Sequence, residues 1–130
     1  MPSPAFVNWF TNGKEDVETI SEVLAQQLSD NPAELQAQLA VAEGWHGRMT
    51  TMLAWANSFL DLAEKAALAA RTDEMTDLDR RVEMRAAVAD ERRARDILQG
   101  LCEGIKNRLI LGMALMKAQS GERAGGRVMN

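Results

Sequence analysis

No proline follows Pro32. The three prolines stand at positions 2, 4 and 32. Residues 33–130 can therefore run as helix without the lost backbone donor and ring clash that proline imposes. Apolar residues recur along this stretch at close to 3.6-residue spacing, through Leu35, Leu39, Ala42, Met49, Leu53, Ala56, Leu60, Ala63 and Ala67. That spacing predicts one long helical stripe. With three Phe, three Trp and no Tyr, a core must be filled mostly by Leu, Ala, Met and Val.

The boundaries follow from capping chemistry. "SDNPAEL" places Asn31 as a cap, Pro32 at the first helical position and Glu34 three residues after the cap. One helix is predicted over about 32–71, with a weak point or kink at Gly44 and Gly47; two separate helices are the alternative. Upstream, Thr11 or Asn12 caps a helix over about 14–28, whose first turn carries Glu15, Asp16 and Glu18. Downstream, Thr76 and Asp79 have cap spacing, and a helix over about 76–119 would span roughly 60 Å. Residues 1–13 are then an apolar arm and residues 120–130 a flexible tail, flanking a single helical domain at 14–119.

Two long helices joined by a short turn form an antiparallel hairpin, with the shorter N-terminal helix beside it. The expected fold is all-α. The segment from Ile97 to Met116 is apolar over more than one stripe: Ile97, Leu101, Ile105, Leu109, Gly112 and Met116 form one row, and Leu98, Cys102, Met113 and Leu115 widen it. A two-helix contact covers only one stripe, so the surplus calls for the N-terminal helix, a second copy, or both. A helical homo-oligomer is expected. Gly100 and Gly104 lie near one face, where a close helix would offset their roughly 1 kcal/mol cost relative to Ala. The expected interface comprises Phe6, Trp9, Phe10, Ile97, Gly100, Leu101, Gly104, Ile105 and Leu109. The arm's three rings need a dock on their own hairpin, a sister subunit or a foreign partner.

Catalytic chemistry is not apparent. His46 has no identifiable partner and reads as a surface or kink-lining imidazole. Cys102, the single cysteine, excludes an internal disulfide and reads as a small buried thiol. No metal-ligand spacing, phosphate-binding glycine loop or hydrolase elbow is present. The expectation is a non-enzyme with no metal and no cofactor. No apolar run approaches the ~20 residues of a membrane span, and "MPSPAFVNWF" has no basic segment ahead of an apolar one, so a cytoplasmic protein is expected.

Charge is unevenly placed. Residues 1–75 hold 4 Lys/Arg and 11 Asp/Glu, a balance of −7, whereas residues 76–130 hold 11 and 8, a balance of +3. Arg80, Arg81, Arg85, Arg92, Arg93 and Arg95 crowd one helical stretch, and Lys106, Arg108, Lys117, Arg123 and Arg127 extend the bias. Guanidinium forks suit phosphates and carboxylates alike. Three readings stand: a solvated face with pairs such as Asp77–Arg81 and Glu91–Arg95, contact with phosphates of single-stranded nucleic acid, or pairing between subunits. The candidate nucleic-acid contacts are Arg81, Arg85, Arg92, Arg93, Arg95, Lys106 and Arg108.

The stretch "MTDLDRRVEMRAAVADERRARDILQGLCEGIKNRLILGMALMK", with its capped start, charged first half and apolar second half carrying "GIKNR", resembles the UvsY-type recombination mediators of phages. The resemblance covers about a third of the chain and lies mostly in helix pattern. It implies a ring-like oligomer that binds single-stranded DNA and helps load a RecA-like recombinase, in a host cytoplasm. Lys106 and Arg108 stand closest to the family pattern. The alternative is a phage structural or adaptor protein, or an inhibitor of a host protein, acting by protein contacts alone.

Overall fold

The computed structural model describes residues 2–70 and 76–129, with side chains as far as residue 121. The described residues are all-α: α1 (Pro4–Ala25), α2 (Pro32–Ala69), α3 (Asp77–Ala87) and α4 (Ala89–Met129). The predicted end of the second helix at residue 71 and the turn at 71–75 lie outside the described residues, as do the side chains of Arg123 and Arg127. No described helix is long and apolar enough to cross a membrane.

α1 begins at Pro4, ten residues before the predicted start at about residue 14. The Ser3 hydroxyl accepts the Phe6 N–H at 3.2 Å, and Pro4 occupies a position where its missing N–H costs nothing. Residues 4–13 of the predicted arm are thus the first turns of a helix. α1 stops at Ala25 rather than Leu28, because Gln26 turns to an extended conformation.

The start of α2 is as its sequence requires. Asn31 Oδ1 accepts the N–H groups of Ala33 and Glu34, at 2.9 and 3.2 Å. Glu34 does not close the expected reciprocal bond directly. Ser29 mediates it: its hydroxyl donates to Glu34 and accepts from the Asn31 N–H. The helix runs unbroken through Gly44 and Gly47, so the two-helix alternative does not hold.

The predicted helix over 76–119 is two helices. Thr76 caps α3 as expected, accepting the Asp79 N–H. At Val88 the backbone leaves helical geometry (φ −112°, ψ 13°) while its side chain is fully buried. This corner lets α3 pack against α2 as well as against α4. α4 then continues past the predicted end at 119, as far as Met129.

The core repeats every seven residues. Leu35, Ala42, Met49 and Ala56 are buried on α2, joined by Leu39 and Leu60 four residues after the first and last of them. Glu91, Leu98, Ile105 and Gly112 are buried at the same interval on α4. A seven-residue period keeps one seam of a helix against one neighbour over many turns. The predicted row is therefore displaced: of its members only Ile105 and Gly112 are buried, Leu101, Leu109 and Met116 are half-buried, and Ile97 is 38% exposed. Leu39 lies over Gly112, and Gln119 donates to the Asp30 carbonyl at 3.0 Å. Toward the other end, Ala63, Ala67 and Ala70 share a hollow with Ala87 and Glu91.

α1 lies against both long helices. Ile20 joins Met49, Leu98 and Ile105 in the central cluster. Asp16 pairs with Arg48 at 2.9 Å, and the Arg48 guanidinium also covers the Trp45 ring at 5.4 Å. The predicted dock for the aromatic residues is internal. Phe6 meets Phe59 edge-on at 5.7 Å, and the Trp9 ring lies 5.2 Å from Phe59.

Candidate nucleic-acid interface

The seven basic residues picked from the sequence do not form one cluster. Arg85, Arg92 and Arg93 line one shallow groove at the α3–α4 corner, with Ala89, Asp96 and Ile97. Arg85 stands near the end of α3, and Arg92 and Arg93 in the first turns of α4, on either side of the break at Val88. Arg81 is exposed one turn away on α3, lining a hollow against Ala67 and Leu68 of α2. Arg95 is held by its neighbour, with Nε donating to Asp96 Oδ1 at 2.8 Å.

Lys106 and Arg108 do not belong to the groove. Lys106 is exposed thirteen residues beyond Arg93, about 20 Å along the helix axis. Arg108 is buried and donates from Nη1 to the Gln26 carbonyl at 2.7 Å. It satisfies an orphan carbonyl where α1 ends and where α1 has no basic residue of its own in the last turn. This geometry removes Arg108 from the exposed phosphate-contacting set.

The expected helix-face ion pairs also differ. Asp77 reaches Arg80 at 3.5 Å rather than Arg81, and Arg95 pairs with Asp96 rather than Glu91. Glu91 is instead 3% exposed, with Oε2 lacking a hydrogen-bond partner.

One basic residue escaped the sequence reading. Lys14 lines a second hollow with Phe6, Val7, Phe10, Asp90 and Arg93. Arg93 thereby belongs to both hollows and joins Lys14 and the Phe10 ring to Arg85 and Arg92. Lys14 is more than seventy residues from this cluster in sequence, and only the docking of α1 brings it there. Arginine forks beside an aromatic ring can hold phosphates and stack a base. Asp90 and Asp96 temper the positive field.

The remaining picks serve packing. Gly104 lies against Leu24 of α1, where an added Cβ would sit 3.1 Å from Cδ1. Gly100 faces open space, with nothing among the described residues within 4 Å of a Cβ placed there. Ile105 is fully buried in the core. Cys102 packs half-buried against that core, and burial, followed by the Glu103 charge, raises its thiol pKa. Such a thiol stays protonated and unreactive near neutral pH. Among the described residues, no group of three or more His, Cys, Asp or Glu is placed to hold a metal ion. Comparison with family models, with characterised proteins and with solved structures gives no match.

Proposed function

We propose that this protein is a non-enzymatic helical module that binds single-stranded nucleic acid and self-associates, acting as a recombination mediator that helps load a RecA-like recombinase. The observation that carries the binding proposal is the strip Lys14–Arg93–Arg92–Arg85, with Phe10 beside it. Phosphates lie along the four cations, and a base stacks on the exposed part of Phe10. The resemblance of residues 75–117 to UvsY-type mediators supports the same reading and extends it to the recombinase. The contact is narrower than the sequence implied: Arg85, Arg92, Arg93 and Lys14 form it, Arg81 flanks it, and Lys106 contributes a separate charge.

The scaffold is read as a long antiparallel hairpin of α2 and α4, braced by α1. Leu39 over Gly112 near one end, and Ala67 beside Glu91 near the other, support that direction. Self-association is supported by apolar residues left in solvent: Leu78 and Val82 on α3, and Ile110 and Met113 on α4. The same residues favour a second reading, an adaptor that binds another protein without nucleic acid.

Nuclear magnetic resonance separates the two. Adding oligo-dT should shift the signals of Lys14, Phe10, Arg85, Arg92 and Arg93. If shifts are absent at low salt, or centre on Leu78, Val82 and Met113, the nucleic-acid reading fails.

A further inference from the structure

Arg108 carries an unexplained feature. It is 9% exposed; Nη1 is bonded to the Gln26 carbonyl, but Nε and Nη2 are buried without a partner among the described residues. Those two nitrogens form one edge of the guanidinium, the edge that pairs with both oxygens of a carboxylate. A buried donor without a partner is uncommon, and two on one fork leave a charge only partly compensated. The residue lines a groove between the end of α1 and α4, together with Leu24, Leu28, Leu111 and Leu115. None of the described residues lining that groove is acidic. Leu111 is 62% exposed, so the apolar wall is open to solvent.

We infer that this groove is a binding site for an aliphatic monocarboxylate, with the carboxylate on the Nε–Nη2 edge of Arg108 and the hydrocarbon chain along Leu24, Leu28, Leu111 and Leu115. The two halves of the ligand match the two halves of the site. An anion supplies the acceptors that the fork lacks, and a hydrocarbon chain covers leucines that face water. A phosphate alone would leave the leucine wall uncovered, and a neutral alkane would leave the fork unpaired. Entry requires the segment after Ala25 to give slightly, because Nε and Nη2 are buried. That segment is non-helical, with Gln26 and Gln27 exposed at the rim. The site is separate from the Lys14–Arg93–Arg92–Arg85 strip and does not depend on nucleic-acid binding.

The test uses the full chain, titrated by calorimetry with decanoate, decanol and decyltrimethylammonium below their aggregation concentrations. Methyl resonances of Leu24, Leu28, Leu111 and Leu115 are followed in parallel. Decanoate is expected to bind about tenfold or more tighter than decanol, with the ammonium weakest, and to shift those methyls. Arg108→Lys should weaken decanoate and leave decanol unchanged. Because Arg108 is buried and its variant can fail to fold, Leu111→Glu provides a second test at an exposed position, where the added charge should repel decanoate about tenfold. Equal affinity for decanoate and decanol, no binding of decanoate, shifts confined to other methyls, or unchanged decanoate binding by folded Leu111→Glu would each overturn the proposal.

Discussion

Gly112 of α4 lies directly beneath Leu39 of α2, so closely that a Cβ at position 112 would overlap Leu39 Cδ2. Leu39 is itself buried and has little room to retreat. Gly112→Ala is therefore expected to destabilise the fold by about 1–3 kcal/mol despite the better helix propensity of Ala. Gly100 faces open space. Gly100→Ala should gain up to about 1 kcal/mol in the same urea titration. Opposite signs at these two positions report the seam.

Ser3 caps α1 through the Phe6 N–H. Ser3→Ala should cost about 1 kcal/mol in urea unfolding, and amide exchange should quicken in the first turn of α1. If residues 4–13 were a loose arm, neither quantity would move.

Phe6 is buried against Phe59 and stacks on Phe10 at 5.8 Å. Phe6→Ala removes the centre of that cluster and should cost about 3–5 kcal/mol. Tryptophan fluorescence should report it directly, since Trp9 adjoins both rings.

The Cys102 pKa is raised by burial and then by the Glu103 charge. A thiol whose folded pKa exceeds its unfolded value contributes stability at pH below the unfolded value, about 8.5. That contribution is lost as pH rises through the folded pKa. Stability should therefore fall more steeply on the alkaline side in the native chain than in Cys102→Ala. Alkylation at pH 8 should also be slower than in the unfolded chain.

Local signals in the sequence were sound where they were complete. Asn31–Pro32 marked the start of α2, and Thr76 with Asp79 marked the start of α3. Ser3–Pro4 carries the same cap-and-proline chemistry as Asn31–Pro32, so the start of α1 is also legible in the sequence. The corner at Val88 was not legible. It has no proline or glycine, and it arises from packing α3 and α4 on one partner while burying Val88. The basic site divides in the same way. Arg92 and Arg93 are adjacent in sequence, whereas Lys14 reaches them only through the docking of α1. Arg108 looked like a surface cation because its distant partner, the Gln26 carbonyl, is a backbone atom with no sequence signature.

The central claim is that Lys14, Arg85, Arg92 and Arg93 hold nucleic-acid phosphates. Fluorescence anisotropy of labelled oligo-dT, titrated with the native chain and with Arg92→Glu/Arg93→Glu from about 50 to 200 mM salt, tests it most directly. Contacts to four phosphates should give a slope of log affinity against log salt near −2.8, about −0.7 per single-strand contact. The double variant should bind at least about tenfold more weakly, with a shallower slope, while keeping the native circular dichroism spectrum. Absence of binding by the native chain at the lowest salt, or equal affinity and equal slope in the folded variant, would contradict the account.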